Sequence, residues 1–361
     1  MKKYYKLFLP FLCVLAVTIA GVQFVHKNQT KAVPSSTTER SYIKWVDFTV
    51  TSSAMTAAYK YDVESYQAEV HLDWIELLAY CAARTGGNFN KSSLDTMSKA
   101  AKLLTNREET INSLTKDLKY YSYYKKAYTA VLGGLVGEYE IEQEADETGT
   151  KTQWVKKYGL KGYSPIACGY YYNDFDDFGV SRSYGYKRRH LGHDMMGCTG
   201  TPIIAVESGY VEALGWNQYG GWRIGIRSFD KQRYYYYAHL RKDYPFTKSL
   251  KIGSIVSAGD VIGYLGRTGY SHNENVNNIE TPHLHFGLQL IFDEKQKDGN
   301  NEIWVDCYEL IRFLYQNRCQ TQKTEDGNAS ERIYQIKDPS VEEYKKRLEK
   351  RKKGFIFSLS K

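Results

Sequence analysis

Residues 282–292 read PHLHFGLQLIF. The run is short, apolar and glycine-bearing, which suits a β-strand. Side chains two apart in a strand leave from the same face, so His283 and His285 can converge on one point. Histidine is otherwise scarce, with eight copies in 361 residues. A half-buried strand can tolerate an imidazole, but two on one face also suit a shared chemical task.

The surrounding runs have the same texture: TPIIAVESGYVEALGW (201–216), WRIGIRSF (222–229), RYYYYAHL (233–240) and GSIVSAGDVIGYLG (253–266). Closely spaced strands with glycine turns predict an antiparallel, mainly β domain over residues 163–322. It closes on a terminal helix in WVDCYELIRFL (304–314). Residues 44–139 carry a helical period instead and predict a small α-helical domain. Asp73 suits a helix N-cap, Trp74, Leu77, Leu78 and Cys81 recur on one face, and Gly86-Gly87 ends the run. Leu94, Met97, Ala101 and Leu104 repeat the pattern, and residues 114–139 suggest a third helix. Residues 140–162, charged and short of large apolar side chains, read as a linker, and residues 323–361 as a polar and basic tail.

At the N-terminus, MKKYYK precedes an uncharged run, LFLPFLCVLAVTIAGVQFV, residues 7–25. That length is enough for a transmembrane helix, and the lysines hold its start in the cytoplasm. Residues 1–26 therefore read as a single-pass membrane anchor, and 27–43 as a tether. Everything after the tether is then outside the cytoplasm. Thr18-Ile19-Ala20 before Gly21 also suits signal cleavage, which would give a secreted protein. Either route exports the chain.

Composition narrows the partners. At 42% hydrophobic and 25% charged, the bulk is an ordinary folded protein. The 33 tyrosines against 14 Phe and 6 Trp suit peptide or carbohydrate contact and are equally at home in plain β-proteins. The net charge of +8 resides mostly in KKRLEKRKK, residues 345–353, so the remainder is nearly balanced. Such a block is a solvated tail, or a contact for an anionic polymer or membrane surface; nothing resembles a nucleic-acid module. The cysteines at 13, 81, 168, 198, 307 and 319 include no C-x-x-C pair, which argues against a cysteine zinc site.

Six of the eight histidines fall between His190 and His285. The first cluster, RRHLGHDMMGCTG, places His190 four residues before Asp194; His239 stands near the end of the tyrosine-rich strand; His283 and His285 complete the group. Imidazole and carboxylate are natural zinc ligands, and catalytic zinc takes three protein ligands and one exchangeable water. A His, an Asp and one of the paired histidines supply such a set, leaving two histidines for proton transfer.

In order and spacing these motifs resemble the lysostaphin-type or LytM-type zinc peptidases of bacterial cell walls. The resemblance runs from His190-Leu191-Gly192-His193-Asp194 through Gly200-Thr201-Pro202, Tyr237-Ala238-His239-Leu240, Gly259-Asp260-Val261-Ile262-Gly263 and Gly266-Arg267-Thr268-Gly269 to Pro282-His283-Leu284-His285-Phe286. It implies one zinc ion held by His190, Asp194 and His285, with His239 and His283 catalytic. It also implies a tyrosine that stabilises the transition state, Tyr184 or the equally placed Tyr186. His193 is expected to face away from the metal, and His272 to lie on a surface loop. The function implied is a membrane-tethered zinc endopeptidase acting on peptidoglycan peptides. The alternative is a non-catalytic scaffold or wall-binding protein in a division or sporulation complex.

Overall fold

The computed structural model describes residues 42–145, 151–184, 186–299 and 301–359, with side chains for all of these except 184, 186 and 352–359. Five helices come first: α1 (Ser52–Ser65), α2 (Trp74–Thr85), α3 (Lys91–Thr105), α4 (Ile111–Thr115) and α5 (Tyr121–Leu132). Asp73 caps α2 as its type predicts, accepting from the Glu76 amide at 2.9 Å. Gly86, at φ 66°, ends it. The predicted face of α2 is buried, and so are Ile75, Ala79, Tyr80 and Ala82, because helices pack on this helix from more than one side. The third expected helix is shorter than its pattern suggested. α5 stops at Gly133, and Val136 opens a strand.

That strand, β1 (Val136–Glu144), pairs along its length with β2 (Thr152–Leu160). The segment read as a linker is therefore mostly a β-hairpin. Its charges misled because they are cross-strand partners: Glu140 lies opposite Lys156 in β2 and ion-pairs with Lys337 at 3.6 Å.

Twelve further strands and a helix follow: β3 (Tyr172–Asp174), β4 (Ser181–Tyr184), β5 (Tyr186–Arg189), β6 (His193–Gly197), β7 (Pro202–Ile204), β8 (Gly209–Asn217), β9 (Gly221–Ser228), β10 (Arg233–Ala238), β11 (Ile255–Val256), β12 (Val261–Tyr264), β13 (His283–Leu290), β14 (Ile303–Val305) and α6 (Tyr308–Leu314). The principal sheet has the order β11-β8-β9-β10-β13-β6-β3, with β14 also on β13, and every ladder is antiparallel. Alternation divides its two faces. Ile224, Ile226, Tyr235, Tyr237, Leu284, Phe286 and Leu288 point into the core; the residues between them point to the opposite face.

The polar tail of the sequence reading is also folded. β15 (Thr321–Lys323) pairs with β16 (Ser330–Arg332), β17 (Ile336–Lys337) joins β1, and α7 (Pro339–Leu359) carries the basic run. Two buried ionic residues hold this segment. Arg332 donates to the Ala258 carbonyl at 2.8 Å, and Asp338 accepts from Lys161 at 2.9 Å and from Ser208 at 2.7 Å. Among the described residues no helix is long and apolar enough to cross a membrane. The expected anchor, residues 1–26, lies outside them.

The helices expected to form a separate domain share one continuous core with the sheet. Phe313 of α6 stacks on Trp74 at 5.6 Å and meets Tyr59 edge-on at 5.9 Å. Arg233, only 2% exposed, bonds Glu207 at 2.7 and 3.1 Å and Asp230 at 2.7 Å. Its Nη1 donates to the Ala130 carbonyl at 3.0 Å, so a strand cation caps the negative end of α5. A buried pair that loses one member leaves an uncompensated charge. Arg233→Met should therefore lower the unfolding free energy by about 3–5 kcal/mol, read from the urea midpoint; an unmoved midpoint would show the network to be dispensable.

Candidate active site

β6 and β13 are neighbours, and their register makes Asp194 the direct partner of His285, with Met196 opposite His283. Period-2 alternation then sends Asp194, His283 and His285 to the face away from the core. His190 precedes β6 in an extended turn, tied at both ends to the β4 side of the site: its N–H donates to Val180 O at 2.9 Å, and its carbonyl accepts from Gly179 N at 2.7 Å. The three expected ligands meet. His190 Nε2 lies 3.0 Å from Asp194 Oδ1 and 3.0 Å from His285 Nδ1, and the last two atoms are 2.9 Å apart.

His190 and Asp194 are held from behind. His190 Nδ1 faces the Asp177 carbonyl at 3.2 Å, with the Asp177 carboxylate 3.1 Å away. Its proton therefore sits on Nδ1, and Nε2 turns a lone pair to the cluster. Arg182 bridges Asp177 and Asp194, donating to Asp194 Oδ2 at 3.1 Å and leaving Oδ1 for the cluster. Gly192 is a steric requirement: a Cβ there would sit 2.5 Å from His285 Cε1 and 2.8 Å from the Phe286 carbonyl. Asp177, Arg182 and Gly192 are the working parts that sequence reasoning left without a role. Of these only Gly192 had a signal, its place inside the H-x-G-x-D motif.

Burial pushes the Asp194 carboxyl up, but its close contacts with His190 and His285 overcome it and hold the group well below the usual carboxylate range. His190 is buried too, which lowers its pKa; the bond to Asp194 and the charges of Asp194 and Asp177 outweigh this and raise it. At His285 burial prevails over Asp194, and its pKa falls. Two lone-pair atoms 3.0 Å apart, His190 Nε2 and Asp194 Oδ1, need a positive centre between them: a second proton on His190, or a metal cation. The three residues can hold a metal ion, and their donor types are those of a catalytic zinc site.

His239 and His283 stand beside this cluster. The His239 ring is 4.8 Å from His283 and 5.8 Å from His285. His239 Nδ1 donates to Thr268 O at 3.0 Å and His283 Nδ1 to Thr281 O at 2.8 Å, so both rings keep a lone pair on Nε2. His283 Nε2 is 3.8 Å from Asp194 Oδ1. His239 has φ 61°, a strained left-handed backbone for a non-glycine residue, held by its N–H to Gly220 O at 2.8 Å and by Gly266 N to its carbonyl at 3.1 Å. Burial, with the charges of His283 and His285, lowers the His239 pKa well below the ordinary imidazole value. The fully buried Thr268 is fastened by its hydroxyl to Leu240 O at 2.6 Å. The glycines of residues 266–269 let that loop close on His239: a Cβ on Gly269 would lie 3.1 Å from its Nδ1.

Two other histidines separate from the site. His193 turns to the opposite face, bonded to Asp174 at 2.9 Å and packed on Tyr308. His272 is exposed in a loop. Tyr184 and Tyr186 pair across the tip of the β4–β5 hairpin, and their side chains lie outside the described set. The cluster opens into a groove of about 890 Å³ whose walls include Tyr219, Tyr236, Tyr270 and Trp304.

Known proteins share this part of the chain. The model of peptidase family M23 matches residues 188–299. The L-Ala–D-Glu endopeptidase of Bacillus subtilis is 36% identical over 159 residues, which are 44% of this chain and 45% of that protein. Lysostaphin of Staphylococcus simulans is 39% identical over 98 residues, 27% of this chain and 17% of lysostaphin. The solved catalytic domain of lysostaphin from the same organism aligns at 29% identity with a TM-score of 0.30, covering 39% of this chain and 92% of that domain. The chain thus spans less than half the length of the curated relatives it matches. The stretch that matches the peptidase family M23 model, residues 188–299, contains His190, Asp194, His239, His283 and His285.

Proposed function

We propose that the chain is a zinc-dependent endopeptidase that hydrolyses peptide bonds in bacterial peptidoglycan. The observation that carries this reading is the convergence of His190, Asp194 and His285 on one point in a groove flanked by two more histidines of fixed tautomer. The similarity to an L-Ala–D-Glu endopeptidase supports the substrate class, because peptides that join L- and D-residues belong to bacterial walls. The apolar run at residues 7–25 supports export to where that wall lies.

His190, Asp194 and His285 hold the zinc ion. When bound, zinc supplies Lewis acidity that lowers the pKa of water towards about 7 and polarises a carbonyl. The protein handles the protons. His239, neutral because its pKa is depressed, presents Nε2 as an acceptor. His283 presents the same atom from the neighbouring position on the sheet. One of them takes a proton from the attacking water, and a protonated imidazole returns it to the departing amine. The carbonyls of Thr268 and Thr281 fix which nitrogen does this, since each can only accept a hydrogen bond and so keeps the N–H of the facing ring on Nδ1. The aromatic walls of the groove offer apolar faces to an extended peptide.

The purified chain should hold about one zinc ion and release amino groups from isolated cell wall, and His190→Ala should lose both, as followed by elemental analysis and amine labelling. Wall sedimentation that survives chelation, with no amine release, would favour the scaffold reading. His239→Ala and His283→Ala should keep their zinc while turnover falls about 10²–10⁴-fold; undiminished cleavage in both would remove them from the mechanism. Gly192→Ala should push His285 away and weaken zinc affinity about 10–100-fold, measured by competition with a chromogenic chelator, with circular dichroism unchanged. Unaltered affinity would mean that the glycine is not needed to seat the ligand.

A further inference from the structure

The groove floor holds two cations that neither the metal-binding cluster nor the proton-handling histidines engage. Arg223 lies on β9 one step beyond the Ile224–Tyr237 pair, which sets it opposite Ala238, and Ala238 is the partner of His285. Arg223, Ala238, His285 and Asp194 thus form one row across four strands, on the groove side of the sheet. Two strand spacings, about 10 Å, separate Arg223 from His285. That is roughly the reach of three residues of extended peptide.

Three other arginines of the sheet and the loops beside it are engaged. Arg182 pairs with Asp177 and Asp194, Arg227 with Glu212 and Glu294, and Arg233 with Glu207 and Asp230. Arg223 differs: its Nε is buried and makes no hydrogen bond, and no carboxylate pairs with it among the described residues. A guanidinium partly withdrawn from water without an acceptor is a costly arrangement unless a ligand completes it. Arg188, on β5, is stacked between Tyr219 and Tyr270 at 5.0 Å from each ring and donates to Tyr270 Oη at 2.6 Å. It too has no carboxylate partner among the described residues. The aromatic rings fix its plane without neutralising it.

Between these elements the Tyr236 hydroxyl is prepared as a donor. Asn217 Oδ1 accepts from the amides of Tyr219 at 3.0 Å and Gly220 at 2.6 Å, which leaves its Nδ2 to donate to Tyr236 Oη at 3.4 Å. Tyr236 therefore accepts from the protein and keeps its own proton for the groove. Gly220 makes room for that hydroxyl, since a Cβ there would be 2.2 Å away. Arg188, Arg223 and Tyr236 line the same groove.

We propose that Arg223 and Arg188, with the Tyr236 hydroxyl, form a subsite for a substrate carboxylate, so that peptides bearing a free carboxylate within a few residues of the scissile bond are preferred to neutral peptides. This rests on the endopeptidase reading above and narrows its substrate to acidic wall peptides rather than oligoglycine. A planar carboxylate matches the forked donors of arginine, and a peptide amide does not.

The test uses the full zinc-loaded chain and an N-acetylated, C-terminally amidated alanyl-γ-D-glutamyl-lysyl-alanine peptide, with the glutamyl carboxylate either free or amidated, and N-acetyl-pentaglycine amide as the neutral comparison. The free acid should be cleaved with kcat/KM on the order of tenfold or more above its amide, and above pentaglycine. Arg223→Gln should bring the acid-to-amide ratio close to one, mainly through KM, and Arg223→Lys should restore part of it. Equal rates on acid and amide in the unaltered chain, or a ratio untouched by Arg223→Gln, would overturn the subsite. Calorimetric binding of the same peptides to the chelated protein decides the matter without turnover. Tighter binding of the acid, lost in Arg223→Gln, supports the subsite even if no peptide is cut, a result that would count against the endopeptidase reading alone. Equal binding of acid and amide refutes it.

Discussion

Asp194 and His285 face each other across the β6–β13 ladder, and the site depends on that register. A slip of one residue would turn every side chain of β13 over. His283 and His285 would then enter the core, and Leu284 and Phe286 the groove. The core prevents this, because Leu284, Phe286 and Leu288 are fully buried and have no room on the open face. Hydrophobic burial on one side of the sheet thereby positions the polar chemistry on the other. His190 needs no strand of its own, since Asp177 and the loop before β6 bring it to the pair.

The same logic explains the support from outside the sheet. The helices and α6 bury their apolar faces against the strands in one core, so the active face is backed by rigid packing. Where α5 ends, Arg233 crosses from β10 to its last carbonyls while paired with Glu207 and Asp230. Tyr235 adds its hydroxyl to Glu207 at 2.7 Å. This buried network sits on the strand that ends at His239, so it also restrains the approach to a residue whose backbone is strained. Strain of that kind persists only where neighbours over-determine the conformation, and Gly220, Gly266 and Thr268 do so here.

Charge is arranged with comparable economy. Arg182 is bound to carboxylates that also orient His190, so it serves the cluster and is closed to a ligand. Arg188 is held by the rings of Tyr219 and Tyr270, and among the described residues neither it nor Arg223 pairs with a carboxylate. The paired cation orients the His190–Asp194–His285 cluster, whereas the unpaired ones keep their guanidinium groups without a carboxylate among the described residues. Tyrosine contributes on both sides: Tyr235 and Tyr237 fill the core, and Tyr236 between them faces the groove. The abundance of this residue therefore reflects alternation in β10 as much as surface recognition.

Local periodicity was enough to recover α2 with its Asp73 cap and Gly86 stop, the antiparallel strands, and the five residues that gather at the site. Those features follow from spacing along the chain, and histidine and aspartate betray their chemistry by type. The hairpin at 140–162 and the folded segment after 322 escaped detection. Their strands are stabilised by partners distant in sequence, such as Lys337 for Glu140 and Ser208 for Asp338, and by charge pairing in place of an apolar pattern. Sequence alone therefore singled out the histidines and the aspartate that gather in the groove, and the strand period that sends His283 and His285 to one face. Only the tertiary structure decided which tautomer each imidazole adopts, why residue 192 has no side chain, and which arginines keep their charge unpaired. Those properties depend on atoms brought within about 3 Å of one another by the fold, and no spacing along a chain encodes such distances.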